Sequence, residues 1–219
     1  WPIDIKDFKK VNVVAVDLAG NKTEAKVPFY IKEFKEKVDN IKISDDFVNN
    51  ISKHVLENSD MNVPSSIVDI FIKTNKELRE KNVKTIREVV KKNLVNDMKT
   101  SFDIKPFVRL PNAATFAQFG ERRHYFYGEE KIDEAWHLGM DWASVKRAEV
   151  QVTNPGKVIF KDYLGIYGDT VIIDHGLGVG TLYAHTSSIN VEVNDEVKAG
   201  QHIANTGATG AVFGDHLHF

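Results

Sequence analysis

Cysteine is absent from the 219 residues, so neither disulfide bonds nor thiolate metal ligands contribute to this protein. A strong net charge is absent as well, because 29 basic residues nearly balance 31 acidic ones. The resulting charge of −2 gives no general attraction to nucleic acid or anionic membranes. No apolar run approaches the ~18 residues of a membrane-spanning helix. The chain begins at Trp1 rather than methionine, and we expect it to be a fragment whose signal or membrane anchor, if it has one, lies upstream.

The first segment, residues 1–32, has the pattern of a β-hairpin. Hydrophobic residues make up 42% of the whole chain, enough for a packed core in one large domain or two small ones. Residues 22–27 alternate charged with small or apolar side chains, which predicts a half-buried strand. Val11–Val16 is the expected partner strand, and Ala19–Asn21 has the composition of the turn. Because an isolated hairpin is marginally stable in water, we expect it to pack on another element.

The second segment, residues 33–100, changes to a helical period. Apolar residues recur three or four positions apart in three stripes: Phe47, Ile51, Val55; Ile67, Ile70, Phe71, Leu78; and Ile86, Val90, Leu94, Met98. Pro64–Ser66 interrupts the first two stripes, and Thr85–Glu88 resembles a capping box that opens the last helix. These patterns predict three or four short helices, and nothing among them has catalytic spacing.

The third segment, residues 101–219, predicts an all-β domain of antiparallel sheets. Short apolar runs alternate with glycine-rich turns, and no helical pattern separates them. The expected strands are Val150–Val152, Lys157–Phe160, Thr170–Ile173, Thr181–Ala184, Val191–Val197 and His202–Ala204. The fold class is therefore α+β, with a hairpin and a small helical segment before an all-β domain.

Histidines with a repeated close spacing are the main chemical signal. His216 and His218 lie on the same face of an extended segment, and His137 lies four residues before Asp141. His185 follows an apolar run. Three protein ligands with one open position are typical of catalytic zinc, so five candidate side chains suggest three ligands and two groups that handle protons. Spacing alone does not decide whether His216 or His218 binds the metal.

Other chemistries fit these residues less well. Gly176–Gly180 invites a dinucleotide-binding reading, but its third glycine comes one place early and no helical pattern follows. The sequence has no P-loop lysine and no H-E-x-x-H pair. A mononuclear iron(II) oxygenase also uses two histidines and a carboxylate as metal ligands. That function assigns no role to His185 or to the second member of the His216/His218 pair. The residue spacing of Val193–Gln201 is similar to that of a biotin- or lipoyl-type carrier hairpin, but the modifiable lysine is missing.

The same motifs resemble those of a known family. His137-x-x-x-Asp141, Tyr183-x-His185 and His216-x-His218 look like the three signature motifs of the LytM/lysostaphin-type (M23) zinc metallopeptidases. The resemblance covers about residues 102–219 and includes the connecting patterns Phe119-Gly120-x-Arg122, Gly165-x-Tyr167-Gly168, Gly200-Gln201 and Gly207-x-Thr209-Gly210. Residues 15–21 also resemble the last hairpin of bacterial immunoglobulin-like envelope modules.

The resemblance implies a role for each candidate residue. It assigns His137, Asp141 and His218 to Zn²⁺, and it makes His185 and His216 the catalytic histidines. One imidazole would take a proton from water and return it to the departing amine, while the other would stabilise the developing oxyanion. Tyr167 and Tyr183 are candidate walls of the substrate groove, and the glycines around them would let an extended peptide approach the backbone.

The implied function is cleavage of stem peptides or cross-bridges of bacterial peptidoglycan, in the cell envelope or periplasm. The alternative is a non-catalytic LytM-like regulator that binds or activates another wall hydrolase; such relatives lack some ligands, and all five are present here. The helical segment or the hairpin could also cover the groove and keep the enzyme latent. Because the family pattern continues past His-x-His-Phe, we expect the domain to be truncated at Phe219. The oligomeric state and the bond that is cut do not follow from the sequence.

Overall fold

The structure is a computed structural model that describes residues 11–28, 36–94 and 104–219. Two compact units divide the chain, Trp1–Lys37 and Val38–Phe219. The predicted boundary between residues 100 and 101, and Met98 of the third helical stripe, lie outside the described residues.

The first unit contains the predicted hairpin. Strands β1 (Asn12–Val16) and β2 (Lys22–Lys26) pair antiparallel. The Asp17 carboxylate accepts hydrogen bonds from two backbone N–H groups of the turn, and Gly20 takes the left-handed backbone that the turn requires. The half-burial predicted for residues 22–27 is wrong for β2, all of which is exposed, whereas Val27 is half-buried.

The second unit begins with a strand that the sequence does not predict. β3 (Val38–Lys42) lies within the segment expected to be helical, and it pairs parallel with β5 (Arg122–Tyr127). This pairing joins the start of the helical segment to the following β structure. The alternation of side chains in β3 is too short and too polar for this strand to be predicted without its partner.

Helices follow β3 in two groups. The first comprises α1 (Asp45–Phe47), a π-helical turn (Val48–Ser52) and α2 (Lys53–Glu57). The second comprises α3 (Ile67–Lys73), a π-helical turn (Thr74–Leu78) and α4 (Arg79–Lys92). The interruption predicted at Pro64–Ser66 is confirmed, because Ser66 caps α3.

The capping box predicted at Thr85 is wrong. Thr85 lies in the middle of α4, and its hydroxyl donates back to the carbonyl of Lys81. The residue that caps the first helical group is Ser44, whose hydroxyl accepts from the backbone N–H of Phe47 at 3.2 Å. A capping pattern cannot be told from a mid-helix threonine when the helix that precedes it also has good propensity.

The remaining strands form the β structure predicted after residue 101. Their bounds are β4 (Ala114–Ala117), β6 (Glu130–Trp136), β7 (Asp141–Ala143), β8 (Glu149–Gln151), β9 (Gly156–Tyr163), β10 (Asp169–Asp174), β11 (Gly180–Tyr183), β12 (Thr186–Ile189), β13 (Glu196–Val197), β14 (His202–Thr206) and β15 (Leu217–His218). A short 3₁₀ turn, Gly165–Tyr167, precedes β10. The predicted strand Val191–Val197 shrinks to β13, and β12 lies before it instead.

The described strands of this unit form four small sheets, in the strand orders β3-β5-β6, β4-β7-β15, β11-β10-β9-β13 and β12-β14-β8. All their strand pairs are antiparallel apart from β3 with β5. One apolar cluster fills the space between the sheets, and a second joins the helices to the 3₁₀ turn and to Ala184. Among the described residues, no helix is long and apolar enough to cross a membrane.

Candidate metal centre

Strand pairing brings three of the predicted site residues together. β7 and β15 pair so that Asp141 lies directly opposite His218. His137 follows β6, where its backbone N–H donates to the carbonyl of Glu121 at 2.8 Å. The result is a buried cluster in which Asp141 Oδ1 lies 3.0 Å from His137 Nε2 and 2.8 Å from His218 Nδ1. His137 Nε2 and His218 Nδ1 are 3.2 Å apart.

The hydrogen bonds around this cluster leave fewer N–H donors than acceptor atoms among its three side chains. His137 uses its Nδ1–H to donate to the carbonyl of Gln118 at 2.9 Å, so the lone pair of Nε2 faces the carboxylate of Asp141. Two acceptors at 3.0 Å repel each other unless a proton or a cation lies between them. His218 can carry one proton on Nδ1. Both His137 Nε2 and Asp141 Oδ1 lie close enough to accept it. The donor set therefore favours a bound cation.

The spacing of the three atoms also fits a small divalent metal. Two ligands at about 2.05 Å from a tetrahedral zinc ion lie about 3.3 Å apart. The observed separations of 2.8, 3.0 and 3.2 Å are slightly shorter. The ligand atoms therefore need to move outward by only a few tenths of an ångström to bind such an ion.

Two further histidines, His185 and His216, line the same cluster. The ring of His185 lies 4.9 Å from that of His216 and 5.7 Å from that of His218, measured between centroids. His185 donates its Nδ1–H to the carbonyl of Thr209 at 2.8 Å, and His216 donates its Nδ1–H to the carbonyl of Gly214 at 3.1 Å. Both rings therefore present a free Nε2 lone pair, and His216 Nε2 is 3.9 Å from Asp141 Oδ1.

A strained backbone aims His185 at the cluster. His185 has φ of +60°, a conformation that costs a non-glycine residue about 1–3 kcal/mol. Its N–H donates to the carbonyl of Tyr167 at 2.9 Å, and the preceding Ala184 forms a β-bridge with His218. These contacts hold the chain in the turn that redirects the His185 side chain after β11 ends.

Burial sets the charge state of these groups. Burial lowers the pKa of His185 well below its ordinary value, and positive charge on His218 and His216 would lower it further. The pKa of His218 is lowered by burial too, against the opposing effect of Asp141. Burial alone would raise the pKa of Asp141, but the neighbouring imidazoles of His137 and His218 hold it well below the usual range. The structure thus favours neutral imidazoles at His185 and His218 around an ionised carboxylate, the protonation states that a metal site requires.

The two tyrosines predicted as groove walls lie in different environments. Tyr167 packs beside the cluster, with its ring centroid 5.5 Å from that of His218. Tyr183 does not form a groove wall: it is 1% exposed and packs edge-on against Phe219 in the core between the sheets. An extended strand would put Tyr183 on the same face as His185, but the left-handed backbone of His185 ends the alternation.

Three further histidines of this unit have structural partners. His175 bonds through one ring nitrogen to the Pro155 carbonyl and through the other to the Thr181 hydroxyl, each at 2.8 Å. His202 lies 3.2 Å from the Glu149 carboxylate, and His124 lies 3.6 Å from that of Glu134. None of the three belongs to the candidate metal cluster found among the described residues.

Sequence reasoning missed Arg123, which donates to Asp141 Oδ2 at 3.0 Å. It also missed Gln118 and Thr209. Both residues contact the site through backbone carbonyls, so their amino-acid type gives no indication of this role. Arg123 could have been suspected only if β5 were known to lie beside β7, because its signal is a single arginine on an alternating strand.

Comparison with known proteins agrees with this geometry. The model of Peptidase family M23 matches residues 135–219, which contain all five clustered side chains. The DD-carboxypeptidase/endopeptidase Mpg of Neisseria meningitidis is 35% identical over 123 residues, covering 55% of this chain and 26% of Mpg. The murein hydrolase activator EnvC of Escherichia coli is 37% identical over 93 residues, covering 42% of this chain and 22% of EnvC. The chain thus spans about a quarter of the length of these relatives.

A solved structure supports the fold. The crystal structure of an M23 peptidase from Pseudomonas aeruginosa aligns with a TM-score of 0.51 and 18% identity, covering 94% of this chain and 64% of that chain. At this identity, the alignment bears on the fold alone. Residues 135–219 thus match a peptidase family M23 domain in sequence, and the alignment with the solved structure supports the fold.

Proposed function

We propose that the domain is a zinc metalloendopeptidase that hydrolyses peptide bonds in the stem peptides or cross-bridges of bacterial peptidoglycan. The observation that supports this most strongly is the convergence of three ligand atoms with two further imidazoles, each of which presents a free Nε2. An oxygenase or a purely structural site has no use for His185 and His216. The geometry therefore favours hydrolysis.

Each residue receives a role in this proposal. His137, Asp141 and His218 hold the metal, through Nε2, Oδ1 and Nδ1 respectively. When bound, zinc supplies Lewis acidity, which lowers the pKa of water to about 7 and polarises the scissile carbonyl.

The histidine pair divides two tasks. One of His185 and His216 accepts a proton from the attacking water and passes it to the amine that leaves. The other, when protonated at Nε2, donates a hydrogen bond to the carbonyl oxygen as negative charge develops there, an effect of about 3–4 kcal/mol in comparable sites. Tyr167, whose ring lies 5.5 Å from that of His218, is the tyrosine that we propose to contact a peptide near the metal.

Digestion of defined muropeptides tests the proposal. The purified protein should release new peptide fragments, lose this activity with a chelator and regain it when zinc is added. His54→Ala is a matched control, because His54 is an exposed helix residue whose side chain pairs with Glu57, at a distance from the metal cluster in sequence and outside it in the described structure. If the protein binds zinc but cleaves none of the muropeptides, the endopeptidase function is wrong.

A second candidate is the activation of another wall hydrolase, which is favoured by the similarity to a relative named a murein hydrolase activator. The two functions differ in their dependence on His216. Stimulation of a separate hydrolase on purified peptidoglycan should survive His216→Ala if the role is regulatory. Loss of all effect in this variant supports the catalytic role.

The proposed location is the bacterial cell envelope, where peptidoglycan lies. The relatives named for activity on murein or for DD-peptidase activity favour it. Fractionation of cells that express the protein, with detection in the periplasmic or wall fraction, tests this proposal. Detection in the cytoplasm alone would overturn it.

A further inference from the structure

Arg123 contacts the candidate metal site from a strand that contributes no ligand. It lies on β5, the central strand of its sheet, between Asp39 of β3 and Ala135 of β6. Its guanidinium donates from a terminal nitrogen to Asp141 Oδ2 at 3.0 Å. The Arg123 side chain is 22% exposed and that of Asp141 is 5% exposed, so the ion pair is largely sheltered from solvent.

The two oxygens of Asp141 have different surroundings. Oδ1 faces the nitrogens of His137 and His218, whereas Oδ2 faces Arg123. A carboxylate oxygen that accepts a hydrogen bond from arginine is a poorer metal ligand than the oxygen that does not. The ion pair therefore favours coordination through Oδ1 alone.

The backbone of Asp141 cannot supply the same control. β7 is paired on both sides, by β15 and β4, so the Cα and Cβ of Asp141 are fixed. Rotation of the carboxylate about its last bond is still free, because that torsion has a broad energy profile. Arg123 is the side-chain partner that the structure gives to Oδ2.

We propose that Arg123 is a positioning residue that holds the carboxylate of Asp141 with Oδ1 toward the metal and Oδ2 away from it. This inference rests on the proposed metal site. It assigns to Arg123 a role in the affinity and coordination number of the metal rather than in contact with the substrate.

Two effects of Arg123 on metal affinity oppose each other. Its positive charge repels a divalent cation, whereas its hydrogen bond removes the freedom of the carboxylate and satisfies a buried oxygen. Partners of metal-ligating carboxylates typically contribute about 10–100-fold to affinity or activity. We expect the positioning effect to be the larger one, so that loss of Arg123 weakens zinc binding.

Zinc competition against a chromophoric chelator measures this effect. Arg123→Met keeps the length of the side chain and removes its donors, and we expect zinc affinity to fall about 10–100-fold. Arg123→Lys should recover part of the loss, because an ammonium can donate one hydrogen bond to Oδ2. Arg122→Met is the matched control: Arg122 is the neighbouring arginine on β5, pairs with Glu134 and should leave the affinity unchanged.

The visible absorption of a cobalt-substituted sample reports the coordination number of the metal, which a general loss of structure would not change in the same way. If Arg123 keeps Oδ2 away from the metal, Arg123→Met allows both oxygens to bind, and the visible absorption of cobalt(II) should weaken as the coordination number rises. The wild-type and Arg122→Met spectra should match. Thermal unfolding of the metal-free proteins identifies any variant that has failed to fold.

The outcomes separate this inference from the proposed function. Absence of zinc binding in the wild-type protein overturns both. Zinc binding in the wild type with equal or tighter binding in folded Arg123→Met overturns the role of Arg123 alone. Should Arg123→Met not fold, Arg123→Lys decides: an affinity and a cobalt spectrum equal to those of the wild type would contradict the need for the guanidinium.

Discussion

Backbone carbonyls determine which nitrogen each histidine presents to the site. The carbonyls of Gln118, Thr209 and Gly214 each accept from an Nδ1–H. The rings of His137, His185 and His216 are therefore fixed as tautomers with a free Nε2, whereas His218 approaches Asp141 through Nδ1. At the scale of single residues, hydrogen bonds to the main chain thus decide which ring nitrogen of these histidines has its lone pair directed into the site.

Substitution of a ligand and substitution of a proton-transfer histidine should have different effects. We expect Asp141→Ala to lose bound zinc, because the variant removes the oxygen at the centre of the cluster. We expect His216→Ala to keep zinc and to lose about 10²–10⁴-fold in cleavage rate, the usual contribution of a general acid or base. Metal analysis and muropeptide digestion of the same samples check both. Comparable zinc content and activity in the two variants would contradict the assigned roles.

An acidic cluster on β6 gives a prediction about pH. Hydrogen bonds from Lys131 and Arg122 lower the pKa of Glu134 to about 2. Because the folded-state pKa lies below that of the unfolded chain, the stabilisation is present above pH 4.5 and is lost as the pH falls toward 2. The difference in unfolding free energy between wild type and Glu134→Gln should shrink over this range, and salt should reduce it because the pair is exposed. A difference that does not change with pH would contradict the assignment.

At the scale of elements, the loop that contains the 3₁₀ turn links the helices to the site. The Asn82 side chain on α4 accepts from the backbone N–H of Ile166 at 3.0 Å. The next residue, Tyr167, accepts the N–H of His185 through its carbonyl. Gly165 is packed so closely here, with φ of +50°, that a Cβ would lie 2.5 Å from Asn82 Oδ1. Hydrogen bonds thus connect a helix to a proposed catalytic histidine.

Asn82→Ala tests what the helical segment does. The variant leaves a buried N–H without its acceptor, which should lower the unfolding free energy by about 1–3 kcal/mol. If the helices support the site, muropeptide cleavage falls while zinc content is unchanged. If they cover the groove and keep the enzyme latent, cleavage rises. Lys84→Ala, an exposed position on the same helix, is the control and should change neither quantity.

The true cap Ser44 and the mid-helix Thr85 give a second prediction at this scale. Ser44→Ala removes a true cap and should lower the unfolding free energy by about 1 kcal/mol. Thr85→Ala replaces a mid-helix threonine with a better helix former and should raise it by a few tenths of a kcal/mol, about the propensity difference. Denaturant unfolding of both variants measures this. A loss at Thr85 as large as that at Ser44 would restore the capping interpretation.

At the scale of the whole molecule, the chain consists of two units with very different packing. The unit Val38–Phe219 contains both apolar clusters and the site, whereas the described part of Trp1–Lys37 is an exposed two-stranded ribbon. Any ligand that binds the folded site should therefore stabilise the second unit, since binding free energy adds to folding free energy.

Metal removal should distinguish the units. Zinc at about 1,000 times its dissociation constant adds about 4 kcal/mol to stability, so chelation should lower the midpoint of thermal unfolding. In hydrogen exchange, the amides of β7 and β15 should lose protection, whereas those of β1 and β2 should not respond. Asp141→Ala should show no effect of the chelator. Equal loss of protection in the hairpin would argue against separate units.

The sequence by itself determined the hairpin, most of the strands after residue 150 and the five side chains that cluster. It did so because turn chemistry, alternation and motif spacing are local properties of the chain. The tertiary structure alone decided that β3 pairs with β5, that Thr85 is not a cap, that Tyr183 belongs to the core and that Arg123 faces Asp141. Each of these depends on which distant segment lies alongside, and no local pattern contains that information.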